Sequence, residues 1–392
     1  MATEAGALRA GAEALAPDRV RELGAWTPRF GVVSVCFDAI PGDRSEGWRI
    51  ELRDRLRALE PPPEADDRHR RRAALDAAVE RILGRFPGDA PPPGGRTQLG
   101  YAAVGEDGAD RWFTSRVPVE RFDVILADRP LLAPLVELAE RARPLAVAVV
   151  SSERIRVLDF AAGRIEEAAA FELETFEPTW RERKSQRPAD PARLHGASSS
   201  GKDQYGQRLD ANRERFVKRA GAETGAWAAE RDHHELLVFG DRALAEAFAG
   251  SLGNGLEVRC IDDVDLVSEP AHLISGRVVE ALPDIERARQ QAFVERVLDA
   301  AHSGGRGSLG VEETAQALAE GRVERLLLDA ERDVGGRPEL AEPLGIPPER
   351  ASDIREWMIE TALATAAAIT PLRGEPTATL AEQGGVAALL RY

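Results

Sequence analysis

Cysteine is almost missing from this chain: Cys36 and Cys260 are the two among 392 residues. Each lies in a strand-like apolar run, VVSVCF and EVRCI, far from the other in sequence. Both are therefore expected to be buried thiols, and neither a disulfide framework nor a thiolate metal site is indicated. Histidine is scarce as well, six in all, and the pair His233-His234 has no Cys or third His nearby, which argues against zinc. No metal and no cofactor are expected. No apolar run approaches the roughly twenty residues of a membrane helix, and the chain opens without a signal-peptide pattern. A soluble, cytoplasmic protein with no membrane partner is expected. The nucleophile elbow Gly-x-Ser-x-Gly does not occur. The stretch GGRGSLG at 304–310 lacks the Lys-Ser/Thr of a phosphate-binding loop and reads as the lead into a helix near Leu309.

What is present suffices for ordinary cores: hydrophobic residues make up 43%, and the length implies two or three domains. The net charge of −15 argues, as a total, against nucleic acid. Its distribution argues the other way. Residues 181–219 hold eleven basic residues against five acids, a local net of +6 that leaves the rest of the chain at −21. A basic island on an acidic body binds a polyanion locally while the body resists non-specific adhesion. The competing reading is a solvated helix face whose charges pair at i,i+3 and i,i+4. The first half of the island has no such pattern, so Arg181, Arg183, Lys184, Arg187, Arg193, Lys202 and Arg208 are the expected RNA contacts, with no DNA expected.

Three α/β segments follow from the periodicity. Residues 1–143 open with a helix and the apolar run GVVSVCFDAI. Two helices flank the PPP at 61–63, a hairpin-like pair LGYAAV and RWFTSRVP follows, and a helix covers 131–142. Residues 144–269 run as a β-meander with a turn at Gly163, the basic loop 181–207, a long helix from about Asp203, a strand over 236–239, a helix and a last strand. Residues 270–392 contain a repeated grammar. LGVEETAQALAEGRVERLLL predicts a short helix with Leu309, Val311 and Leu318 toward a core, Gly321 as its αL stop, then a buried strand at 323–328. LAEQGGVAALLRY repeats helix, Gly384-Gly385 break and buried strand at 386–390.

These two segments, in this order, resemble the third domain of archaeo-eukaryotic class I release factors and of the related rescue factor Pelota. The strand pattern S-V-x-F-D followed by W-R-I-E-L is similar to the N-terminal domain of the bacterial branch of that superfamily, which includes peptidyl-tRNA hydrolases of ribosome quality control and the hibernation factor Balon. The resemblance implies a three-domain α/β (α+β) architecture whose C-terminal domain has the fold of kink-turn-binding ribosomal proteins. It implies a ribosome A-site ligand that faces rRNA and P-site tRNA, with a translational GTPase as a candidate partner.

The same resemblance makes the basic loop the place of chemistry, and here the chain departs from the pattern. Release factors carry Gly-Gly-Gln there, whose glycines reach torsions closed to other residues and whose glutamine orients the attacking water. No Gly-Gly-Gln occurs in this chain, nor do the stop-codon signatures of the eukaryotic factors. The loop offers a small-residue run at 196–201 followed by Gln204 and Gln207. Gln204, three residues after Gly201, is the candidate catalytic residue, against the alternative of two glutamines on an exposed first helical turn. His195 reads as a loop residue. Two expectations stay open: a peptidyl-tRNA hydrolase, or a non-catalytic A-site ligand that occupies the site without cleaving the ester. A nucleic-acid-binding protein with no ribosome role is the third.

Overall fold

The computed structural model describes residues 17–39, 47–61, 67–87, 94–105, 110–173, 200–262, 266–332 and 334–392. It is a mixed α/β structure with three sheets. By contacts the chain divides into two compact units, one holding 1–143, 161–163 and 276–392, the other 144–160 and 164–275. The N-terminal and C-terminal thirds thus lie in one unit.

The N-terminal segment runs α1 (Pro17–Gly24), β1 (Val32–Asp38), α2 (Gly47–Arg57), α3 (Arg68–Gly84), β2 (Thr97–Ala103), β3 (Arg111–Ser115), β4 (Phe122–Ala127) and α4 (Ala133–Arg141). Its sheet has the order β3-β2-β1-β4 and is antiparallel throughout. Alternation along β1 explains the layering. Val33, Val35 and Phe37 join Leu52, Leu56, Leu75 and Ile82 of α2 and α3 in one core. Val32 and Cys36 point the other way, into a core that also takes Leu135 and Leu138 of α4.

The central segment comprises β5 (Leu145–Val150), β6 (Arg154–Ala161), β7 (Arg164–Glu172), α5 (Ser200–Glu230), β8 (Glu235–Gly240), α6 (Arg242–Ala249) and β9 (Glu257–Asp262), in the sheet order β7-β6-β5-β8-β9. The C-terminal segment comprises α7 (Ala271–His302), β10 (Gly307–Leu309), α8 (Val311–Ala319), β11 (Val323–Asp329), α9 (Ile354–Ala364), β12 (Ala368–Leu372) and β13 (Val386–Leu390), ordered β10-β13-β11-β12. Strand β13 is buried along its length, as its apolar run predicts, with Leu389 and Leu390 at 6% and 5% exposure.

The repeated grammar of the C-terminal segment has a local cause. At the end of α8, Gly321 has φ +69, its N–H donates to Leu318 O and the Arg322 N–H to Ala317 O, both at 2.9 Å. That is a Schellman cap, which needs a left-handed residue and turns the chain sharply into the next strand. Before β13, Gly384 (φ +72) repeats it: Gly384 N–H donates to Ala381 O and Gly385 N–H to Leu380 O. The same cap closes α9 on a residue with a Cβ, Ala366 (φ +54), with Ala367 N–H donating to Ala362 O at 2.8 Å.

Two sequence expectations need correction. The glycine-rich stretch before α8 does not simply lead into a helix: Gly307–Leu309 is strand β10, paired antiparallel with β13, so Leu309 is a strand residue. Three residues between glycines carry too little periodicity to announce a strand. Cys260 is exposed, not buried, because β9 is the edge strand of its sheet and has no fully buried residue, while Cys36 is buried as expected.

The caps predict effects of opposite sign. Gly321→Ala should destabilise the first unit by about 1 kcal/mol, since an L-residue pays for the left-handed region. Ala366→Gly, at the equivalent position after α9, should be neutral or stabilising despite the added chain entropy. Denaturant midpoints of the two variants, measured against wild type, check this.

Candidate functional site

The central unit explains how a loop would be presented. Strands β5, β8 and β9 are parallel to one another, and β6 is antiparallel to β5. Ala162 and Gly163, both with positive φ (52° and 77°), form the tight turn from β6 into β7, so β7 runs in the direction of β5. Segment 174–199 therefore departs from the carboxyl edge of β7. Helix α5 follows it and leads at its C-terminal end into the start of β8. At the departing end the Leu173 N–H donates to Glu153 O at 2.8 Å, next to the β5–β6 turn.

Helix α5 is seated firmly. Phe216, Val217 and Ala220 are buried in the core with Ala148, Val238 and Phe248. Gly221 and Gly225 face the end of α6: a Cβ on Gly221 would lie 1.8 Å from Ser251 Oγ, and one on Gly225 2.0 Å from Leu252 O. Their absent side chains set the close approach. At the far end, His233 is buried with its Nε2 3.3 Å from Asp159 Oδ1, its ring 5.1 Å from that of Trp227, and Arg231 3.6 Å from the same aspartate. His233 packs on Trp227 at the helix end, close to β6 but without a hydrogen bond from its Nε2 among the described residues. Among the described residues no cluster of His, Cys, Asp or Glu could hold a metal ion.

A cavity of about 800 Å³ opens at the same carboxyl edge, between Ser151, Arg213, Asp241, Leu244, Asp262 and Leu266. Asp241 is committed to α6, where its Oδ1 accepts the N–H groups of Ala243 and Leu244 at 3.1 and 3.2 Å.

Of the predicted site residues, Arg181, Arg183, Lys184, Arg187 and Arg193 lie outside the described residues, as does His195. Lys202, Gln204, Gln207 and Arg208 fall within α5, in its first two turns or just beyond, with their side chains outside the described set. The second half of the island behaves as a solvated helix face: Asp210 pairs with Arg213 at 3.8 Å, Asn212 with Arg215 at 2.8 Å and Glu214 with Lys218 at 2.6 Å. The hydrogen bond from Lys218 holds the Glu214 carboxyl below its ordinary range.

The structure adds one surface that sequence reading passed over. Helix α3 opens with Arg68, His69, Arg70, Arg71 and Arg72, with no acid in its first turn and no side-chain cap from Asp67. Cations at a helix N-terminus oppose the macrodipole and cost stability. Arg70 is 3.8 Å from Asp67, Arg72 is 3.0 Å from Asp76, and the Arg71 guanidinium lies over Phe30 at 5.2 Å. The run RHRRR was its signal, hidden by the near-balanced charge around it.

Residues 130–301 match bacterial archaeo-eukaryotic release factor family 10. The match covers 172 of the 392 residues and ends before the C-terminal motifs at 309–328 and 380–392. Similar solved structures include the archaeal translation termination factor aRF1, at 17% identity over 97% of this chain and 98% of that one, with a TM-score of 0.25. Archaeoglobus fulgidus Pelota is similar at 16% identity over 75% and 79% of the two chains, with a TM-score of 0.35. S. cerevisiae Dom34 is similar at 10% over 75% and 79%, with a TM-score of 0.38. Likeness at that level carries no functional inference. No curated protein matches. No helix of the described residues is long and apolar enough to cross a membrane.

The seating of α5 yields a test. In an ordinary helix interior Gly→Ala stabilises by up to about 1 kcal/mol. Gly225→Ala should instead lower the stability of the central unit, because the new methyl meets the Leu252 carbonyl. A rise in its denaturation midpoint would show that α5 is not held this closely.

Proposed function

We propose that this chain is a ribosome A-site-binding factor of the release-factor type, which directs its 181–207 segment, the last part of which is the start of α5, toward P-site tRNA. The observation that carries the reading is the carboxyl edge of the central sheet. At that edge β5, β8 and β9 end, and residues 181–219, which begin after β7 and run into α5, hold eleven basic residues against five acids in an otherwise acidic chain. The family match over residues 130–301 spans this segment. Phosphate contacts by Arg181, Arg183, Lys184, Arg187, Arg193, Lys202 and Arg208 would supply affinity, with counterion release as the driving term. The Arg68–Arg72 corner of α3 offers a second cationic contact. A translational GTPase as delivery partner rests on the resemblance alone.

In the catalytic form of this reading, Gln204 orients a water against the ester carbonyl of peptidyl-tRNA. Attack forms the bond from water oxygen to carbonyl carbon, the bond to the ribose oxygen breaks, and that oxygen takes up the proton. The protein's share is placement and charge stabilisation. The missing Gly-Gly-Gln favours the second form, a factor that occupies the A site without cleaving the ester.

Replacing Arg181, Arg183, Lys184 and Arg187 with Glu should weaken binding to 70S ribosomes and reduce the salt dependence by about one unit of log–log slope per lost contact. An unchanged affinity at two salt concentrations rejects the loop as the anchor. The lysines help: Lys184, Lys202 and Lys218 are the only three in the chain. Ribosomes should protect Lys184 and Lys202 from reductive methylation while Lys218, paired with Glu214, serves as reference.

For chemistry, Gln204→Ala should abolish release of labelled peptide from stalled 70S complexes and leave binding intact, a loss on the order of a hundredfold or more in rate. Gln207→Ala should matter less. Wild-type protein that binds these complexes and releases nothing establishes the non-catalytic form.

A further inference from the structure

We propose that Glu356 is a proton-sensitive latch joining the N-terminal and C-terminal segments of the first unit. Helix α4 begins without a cap of its own: Leu132 stands at the N-cap and has no side-chain acceptor, and Pro134 in the first turn has no N–H to offer. The missing acceptor comes from α9, more than two hundred residues on. Glu356 Oε2 accepts the Leu132 N–H at 2.7 Å and Oε1 accepts the Ala133 N–H at 3.0 Å. The carboxyl is sealed in, with the residue 6% exposed. It sits in a shared apolar core that includes Leu132, Leu135 and Leu138 from one segment and Ile354, Met358 and Ile359 from the other.

The groups around it are few. On its own helix, Asp353 accepts the Glu356 N–H at 3.2 Å, and Arg355 donates to Ala330 O at 3.0 Å. Further along that helix, Glu360 is taken by Arg350 and Arg129. From β2, Tyr101 donates its hydroxyl to Leu131 O at 2.8 Å, beside the same helix start. Arg121 and Glu137 act on Arg355 from the α4 side. Two backbone donors and the positive end of α4 favour the ionised carboxylate. Burial favours the neutral acid, Asp353 adds to it, and burial wins, lifting the Glu356 carboxyl from 4.5 to about 7.

The sign follows. When the seam opens, the carboxyl meets water and regains its ordinary low value, so the closed form binds the proton more tightly. The latch therefore contributes fully below the carboxyl's ordinary range and loses strength as pH rises toward and through about 7. Across that window the opening equilibrium should shift on the order of a hundredfold. The seam tightens on acidification near neutrality. This inference does not depend on the ribosome reading.

Hydrogen exchange on the full chain tests it, with amides of residues 131–141 compared with those of 236–239 in the central sheet and intrinsic rates corrected for pH. Between about pH 6 and about pH 8, protection of 131–141 should fall relative to the reference by roughly tenfold or more. Glu356→Gln removes the titrating group, leaves one side-chain acceptor for the two N–H groups, and should flatten that dependence. Asp353→Asn keeps a capping side chain and removes the adjacent charge, so it should move the midpoint to lower pH. Relative protection that does not change with pH, or changes equally in Glu356→Gln, overturns the latch. If Glu356→Gln does not fold, an unmoved midpoint in Asp353→Asn overturns it by itself.

Discussion

A helix of nine residues holds the first unit together. Along α4, the buried Glu137 and the charges at the helix end face oppositely charged side chains from other parts of the chain. Glu137 is 2% exposed at its side chain and is clasped by Arg121 at 3.2 Å and Arg373 at 2.5 Å, the second from the C-terminal segment. At the end of the helix, Arg141 reaches Glu286 at 3.3 Å while Glu140 takes Arg289 at 3.0 Å, so α4 and α7 exchange charges in both directions. Burial pushes the Glu286 carboxyl up against the pull of Arg141 and Arg289. Removing either partner of such a pair strands a buried charge, at about 3–5 kcal/mol. Apolar contact alone would let the two segments slide; the charges fix their register.

Much of the fold was legible because its signals are local. The apolar run of β13 needs only its five residues to read as a buried strand, and Gly321 and Gly384 announce left-handed caps wherever they stand. The charged pairing of Arg213 with Asp210 and of Lys218 with Glu214 obeys helical spacing, and spacing is visible in sequence. What stayed hidden depends on partners far away. Nothing near Leu132 shows that its helix is capped by Glu356, because the two are 224 positions apart. Cys260 misled because an apolar run cannot tell an edge strand from a central one. The common core of the outer segments is also a tertiary fact: Val32 and Ile359 share a cluster that no periodicity predicts.

Charge is laid out on two scales. The body is acidic, yet two cationic stretches stand on it, one preceding and opening α5 in the central unit and one opening α3 in the first. Helix α5 opens Ser200-Gly201-Lys202-Asp203, but α3 opens on arginines, where the backbone dipole already favours anions. Stability alone would place Asp or Glu there. Arg70 and Arg72 are partly offset there by Asp67 and Asp76.

The loss of Gly-Gly-Gln bears on how such a loop could work. Two glycines free the backbone to present a glutamine in torsions that other residues avoid, and the small-residue run at 196–201 keeps only part of that freedom. Gln204 instead falls inside α5, where helical torsions govern the backbone and the N–H is directed along the helix axis. A glutamine so held can lend its side-chain amide to a water, but its backbone N–H is not free to take the pose that the tripeptide allows. Under the proposed ribosome reading, the helical position of Gln204 favours the non-catalytic form, and any hydrolysis would rest on the side chain.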